Sequence, residues 1–484
     1  MDPSRFERPV RLNVTVENPY FILFRKHFMF FRSLPLFICL LPLFSANADN
    51  LPVTGSHQDA SHSEQPEKKL TEKECAALSA THQAMPVEAD RLYEQGLMYL
   101  HGICLKQDPS LALDHFSKAA RLGHSGAMTR LGIFCLNGTI TAKNETLARQ
   151  WFEKAAAQND AKAMFHLGIM AKNGAGMEVD IRRAHEWFQK AARLNDQPAL
   201  YQLALMQFSG TVEKQDKSAA ISQFEKLASK GYPPAQYTIG YLNLKGDGIP
   251  QNLQEARVWF EKAAAKNDMR ATASLAYLNL KGIGTAVNEK KAAILFEKAA
   301  NMGDAYSQDQ FAMMLAKGIG VKADPEKAYA WIEKAASQQY PTAEYHMAMM
   351  YLSGSGKEKN PEEAIKWLSK AAAHGSVEAQ NFYASLLYLG YGIKQDIPKA
   401  ITYFTLAANN GHAESQYLLG TIYVKGNGVL PNLKTAREWF LIAEKNGHRD
   451  AAAALQKLDE MEAGNQANSL PVPEKTNDTG RSQP

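Results

Sequence analysis

Apolar side chains return along most of this chain with a helical period nested inside a longer one. Ala256, Trp259, Phe260, Ala263 and Ala264 fall at offsets 0, 3, 4, 7 and 8, which make one continuous stripe on a helix. Some twenty residues earlier, Ala235, Ile239, Gly240 and Leu242 gather on one side of another helix. Steps of 36 residues restore the pattern. Lys-Ala-Ala stands at 118–120, 154–156, 190–192, 262–264, 298–300, 334–336 and 370–372, with degenerate copies at 226–228, 406–408 and 442–444. Ten copies in one register predict an all-α solenoid of ten 36-residue helical hairpins over residues 89–448. One hairpin cannot cover its own stripe, but a stacked neighbour can.

The polar positions mark where each helix starts and stops. Gly102, Gly138, Gly174, Gly210, Gly246, Gly282, Gly318, Gly354, Gly390 and Gly426 form an unbroken column at the expected end of every first helix. A residue with positive φ is commonly needed there. Six residues on, a column of only Asp or Asn (Asp108, Asn144, Asp180, Asp216, Asn252, Asn288, Asp324, Asn360, Asp396, Asn432) predicts N-caps for the second helices. Pro109, Pro325 and Pro361 follow directly, at the one helical position where a missing N–H costs nothing. The column through Ala112 and Ala256 to Ala436 holds only Ala, which predicts helices too close for another methylene.

The ends differ from the array. Arg25, Lys26 and Arg32 precede an apolar run from Leu34 to Phe44 and the small-residue stretch Ser45-Ala46-Asn47-Ala48. Residues 1–48 therefore read as a signal peptide, which Met29 could also begin. The run is shorter than the roughly 20 residues a membrane helix needs, so no span is expected after cleavage. Residues 49–70 read as a flexible linker, 71–88 as a capping helix, 449–461 as a closing helix and 462–484 as a disordered tail. The expected location is periplasmic or secreted. Export permits a disulfide. Cys135 sits where Tyr99, Tyr351 and Tyr423 stand elsewhere and reads as a packed thiol, leaving Cys75–Cys104 as the expected pair. A net charge of +4 over 484 residues, without a dense basic run, gives no argument for nucleic acid.

The run Ala235-x-x-x-Ile239-Gly240, Gly246-x-Gly248, Asn252, Ala256-x-x-Trp259-Phe260-x-Lys262-Ala263-Ala264, Asn267 resembles the Sel1-like repeat, a relative of the tetratricopeptide repeat, here of the exported bacterial type. The first copy departs most, with Arg91, Gln95 and Cys104 at patterned positions. The resemblance implies a right-handed superhelix with a concave inner face, and a monomeric adaptor for other proteins. It also leaves open a cell-wall enzyme or a regulator of one.

No residue set predicts catalysis, a metal or another cofactor. The Gly-x-Gly pairs lack the further glycine or Gly-Lys-Ser/Thr of phosphate loops, and His185-Glu186 lacks a second histidine at Gln189. Trp151, Trp187, Trp259, Trp331, Trp367 and Trp439 share one column, read as inter-repeat packing against the alternative of a glycan-binding ladder. By the tetratricopeptide comparison, the inner curve carries Tyr93, Phe165, Tyr201, Tyr237, Tyr345 and Tyr417. Beside them stand Tyr241, Tyr277, Met313 and Met349, with Lys172, Lys245, Lys281, Lys317 and Lys425 at the edge. These residues suit a groove for an extended or acidic peptide. Packing between first helices would explain the aromatic residues equally, and a solvated edge the lysines.

Overall fold

The computed structural model describes Thr81 and residues 87–468, with side chains as far as Glu462. Residues 1–80, the expected signal peptide, linker and Cys75 among them, and the tail from 469 on lie outside the described residues. Among the described residues there are 21 helices and no strand. They are α1 Glu88–His101, α2 Pro109–Arg121, α3 Ser125–Asn137, α4 Glu145–Ala156, α5 Ala161–Asn173, α6 Ile181–Arg193, α7 Gln197–Ser209, α8 Lys217–Ser229, α9 Pro233–Lys245, α10 Leu253–Ala265 and α11 Met269–Lys281. After them come α12 Glu289–Asn301, α13 Ala305–Lys317, α14 Pro325–Ser337, α15 Pro341–Ser353, α16 Pro361–Ala373, α17 Val377–Leu389, α18 Ile397–Asn409, α19 Ala413–Lys425, α20 Leu433–Lys445 and α21 Ala451–Asn468.

The chain divides into two compact units within α12, one ending at Leu295 and the other beginning at Phe296. In each, an odd-numbered first helix packs on the second helix that follows it, and that helix packs on the next hairpin. The all-α solenoid predicted from the repeat is what forms. Every Asp or Asn of the predicted cap column accepts a hydrogen bond from the first turn of its helix; Asn252, for example, accepts from the Glu255 N–H at 3.1 Å. Each such cap contributes about 1 kcal/mol. Most first helices carry a side-chain cap too, from Asp160, Asp196, Asp268, Asp304, Ser376, His124 and His412. At the turn before these caps, Gln339 adopts the same left-handed backbone (φ 58°) as the Gly or Asn of the other copies, so the shared geometry overrides its preference.

The core is built from two columns that interlock. Phe116, Phe152, Phe188, Phe224 and Phe260 are fully buried on second helices of the first unit. Four of these rings, those of Phe116, Phe152, Phe188 and Phe260, occupy places where a first helix has only glycine, whereas Phe224 stands opposite Ala204 in the same register. A Cβ on Gly168 would stand 2.5 Å from Phe188 Cε1, and one on Gly132 2.6 Å from Phe152 Cε1. In the second unit the pairing varies: Ala312 and Ala348 stand opposite Ile332 and Leu368, Ala384 opposite Phe404, and Gly420 keeps Phe440. The all-Ala column is buried throughout, Ala112, Ala256 and Ala436 among its members.

The ends correct two expected boundaries. The closing helix starts at Ala451 and runs on to Asn468, seven residues beyond the expected end at 461. Arg437 on α20 holds it by ion pairs to Asp459 at 2.6 Å and Glu462 at 2.7 Å. At the other end α1 begins at Glu88; of the capping helix expected over 71–88, Thr81 is helical and residues 82–86 lie outside the described residues. Cys104 is disulfide-bonded and Cys135 is a buried free thiol.

Candidate interaction surface

First helices form one side of each unit, and they approach one another so closely that most of their surface is covered. On α11 every residue from Ala271 to Leu280 is buried, and on α13 every residue from Tyr306 to Leu315. The residues predicted to line an inner groove are distributed accordingly. Tyr201, Tyr237, Tyr241, Tyr277, Met313, Tyr345 and Met349 are buried, Tyr237 to 2% exposure. Tyr93 and Tyr417, in the first and last repeats, and Phe165 in the third are half-buried. The open aromatic lining suggested by the sequence is thus helix packing: a tyrosine from one first helix fills the gap to the next. Tyr201 Oη lies 2.8 Å from Thr238 Oγ1 of the following repeat, and the Arg270 guanidinium lies over the Tyr237 ring at 4.4 Å.

Burial pushes the Tyr237 hydroxyl up to about 12 and raises Tyr241 and Tyr277 in the same direction. The raised value belongs to the folded state, so the stabilisation linked to neutral Tyr237 is complete below the ordinary tyrosine value near 10. It is lost as pH rises through about 12. An absorbance titration of tyrosine ionisation, compared with Tyr237→Phe, is expected to lose a group ionising near 12; a missing group ionising near 10 would contradict burial as the cause.

The lysine edge remains reachable. Lys245 is exposed, and Lys172, Lys281 and Lys317 are half-buried. Partial loss of water holds all four amines below the ordinary lysine value. Lys172 Nζ donates to Gln202 Oε1 at 3.2 Å.

The tryptophan column packs against the core from its edge, with Trp151, Trp187, Trp259, Trp367 and Trp439 lying against buried clusters. All six indoles are half-buried, one helical position away from the fully buried phenylalanine column. Five have the lysine of Lys-Ala-Ala over the ring, as with Lys262 Nζ at 3.8 Å from the Trp259 ring centre. The face a sugar would stack on is taken in those five by an ammonium group.

Sequence reasoning passed over a buried polar network. Gln308, Gln380 and Gln416 each donate from Nε2 to the carbonyl oxygen eight residues back, those of Ala300, Ala372 and Ala408. His346 Nδ1 lies 2.6 Å from Asp309 Oδ1; Asp309 has no exposed surface and His346 almost none. The signal was available in register: Asp309 occupies the Tyr201 column, His346 the Thr238 column, and both pairs are 37 residues apart.

Among the described residues no group of three or more His, Cys, Asp or Glu stands together as a metal site, and no helix is long and apolar enough to cross a membrane.

The hairpins, their caps and their interlocking Gly–Phe columns define an α-solenoid repeat protein. The Sel1 repeat family matches residues 92–124, 125–160, 161–196, 197–232, 233–268, 270–304, 305–340, 341–376, 377–412 and 413–448, so the chain belongs to that family. Sel1 and tetratricopeptide-like repeat proteins generally mediate protein–protein interaction, and this scaffold is typically non-catalytic. Among solved structures, the chain is similar to a Sel1 repeat protein from Oxalobacter formigenes (25% identity, 79% of this chain and 99% of that one, TM-score 0.45). It is also similar to a protective antigen of uropathogenic Escherichia coli displaying an SLR fold (24% identity, 85% and 100%, TM-score 0.40). No curated protein sequence matches it.

Proposed function

We propose that the protein is an exported, non-enzymatic scaffold that holds partner proteins against the first-helix side of its units. The observation that carries this reading is the lysine edge. Lys245 and Lys281 stand in equivalent positions of consecutive repeats, partly stripped of water, beside a buried tyrosine floor. Cations in that setting attract carboxylates more strongly than cations in bulk water, and a rigid floor lowers the entropy a bound peptide loses. An acidic, extended segment is the partner chemistry that fits. The basic, apolar and small-residue order of residues 25–48 supports export to the periplasm or beyond.

The test is crosslinking and pull-down from an envelope fraction with the wild-type chain and with Lys245→Glu plus Lys281→Glu. The tyrosines are left alone because they are buried. Recovery of partners is expected to fall roughly tenfold or more, the loss of one or two charge-assisted contacts. An unchanged partner set would rule out the lysine edge as the docking surface.

A further inference from the structure

A second basic site lies in the first unit, at the turn between α5 and α6 and away from the lysine edge. A cleft of about 660 Å³ opens there, with Arg149, Arg182 and Arg183 on its wall and Met177, Val179 and Val212 as its apolar part. Three features set it apart. Arg149 Nε is shut off from solvent and has no hydrogen-bond partner among the described residues; its closest carboxylate oxygen, on Glu153, stands at 3.8 Å. Arg182 and Arg183 are exposed, and neither forms an ion pair among the described residues. Of the two carboxylates at the rim, Glu178 is exposed, and Asp180 is occupied in capping α6, where it accepts from the Arg183 N–H at 2.9 Å.

The array shows what the Arg149 position needs for packing alone. Its equivalents in other repeats include Ile221, Ile365 and Ile401, and Ile221 and Ile365 lie under the turn of the next repeat against Gly248 and Gly392. Arg257 also stands in this column, with its Nε 3.9 Å from Glu261 as that of Arg149 is 3.8 Å from Glu153, so packing accepts either an aliphatic side chain or an arginine here. The last repeat shows what such an arginine does when carboxylates are offered: Arg437, in the same register position, holds Asp459 and Glu462, three residues apart on α21, at 2.6 and 2.7 Å. A side chain at i and another at i+3 lie on one face of a helix.

We infer that the Arg149–Arg182–Arg183 cleft is a docking site for an acidic peptide segment, one presenting two carboxylates from one helical face and an aliphatic side chain toward Val179 and Val212. Guanidinium forks match carboxylates in two-point geometry, and the Arg149 side chain, 31% exposed beyond its buried Nε, is open to one. The site is independent of the lysine edge and stands or falls separately from it.

The probe is a synthetic peptide of residues 451–468, which carries Asp459 and Glu462, labelled and titrated into the full chain by fluorescence anisotropy. Saturable binding is expected, weakened at high salt. It should fall roughly tenfold or more for Arg182→Gln and for Arg183→Gln. Both residues are exposed, so these variants are expected to keep the wild-type circular dichroism melt. A peptide with Asp459→Asn and Glu462→Gln should not bind. The Lys245→Glu plus Lys281→Glu variant should bind as wild type, which separates this site from the lysine edge. Binding that ignores both arginine substitutions, or that survives loss of the peptide carboxylates, would overturn the inference. Competition by inorganic phosphate at concentrations where acetate is inert would overturn the carboxylate class.

Discussion

Replacing His346 by alanine is expected to destabilise the second unit by about 3–5 kcal/mol, the cost of leaving a buried charge without its partner. Asp309 has no exposed surface, and the only donors to its carboxylate among the described residues are His346 Nδ1 at 2.6 Å and Gln310 Nε2 at 3.2 Å. In the native chain the oxygen that the substitution abandons has no access to solvent. Native-state hydrogen exchange is the suitable measurement, because a repeat array need not unfold in one step. Protection should fall most on α13 and α15, which carry the two residues. The first unit supplies the control. Its Tyr201–Thr238 pair occupies the same columns without charge, so Asp309→Tyr with His346→Thr should recover part of the stability that His346→Ala loses, short of full recovery because the tyrosine adds volume. A His346→Ala chain as protected as wild type would show that the pair contributes nothing net.

Phe188→Ala should cost about 3–5 kcal/mol in the first unit, the range for deleting a buried aromatic ring. Gly168→Ala should cost about 1–3 kcal/mol by overpacking, since its new methyl would meet the ring at 2.5 Å. The informative experiment is the pair. The second unit already uses Ala348 opposite Leu368, so Gly168→Ala combined with Phe188→Leu should be less harmful than the sum of its parts. A favourable coupling of about 1 kcal/mol or more is expected for residues in contact. Urea unfolding of the four chains closes the cycle; strict additivity would mean that the two columns do not interlock.

Much of the fold could be read from single residues. Asp or Asn six residues beyond each Gly predicts a helix start because its short side chain reaches the N–H groups of the first turn, and all ten do so. The Ala column predicts close helices because a larger side chain has nowhere to go. The end of the closing helix was harder to place. Residues 462–468 have no apolar stripe to announce a helix, and the cross-element contact that anchors α21, Arg437 to Asp459 and Glu462, falls just before them. Contacts from another element leave no local pattern.

The surface was less legible, for a related reason. A stripe of Tyr and Met on a first helix has one spacing whether it faces a groove or the next helix. Tyr237 and Tyr277 are buried because neighbouring first helices come close enough to enclose them, a distance set by side chains 36 residues away. The Trp259 column reads the other way. It shares the apolar stripe with Phe260, yet one step of 100° around the helix leaves it half-buried under Lys262. Asp309 and His346, two ordinary polar residues in the sequence, become a buried pair only when consecutive repeats stack.

The amino-acid sequence by itself determined the repeat length, the helix ends within the repeats and the family, because period, caps and positive-φ turns are local and recur in register. The tertiary structure alone decided which side of each helix meets solvent, which charges are paired in the interior and which arginines are left facing a cleft. Burial and charge pairing depend on distances between repeats, and those distances follow from packing that no single repeat contains.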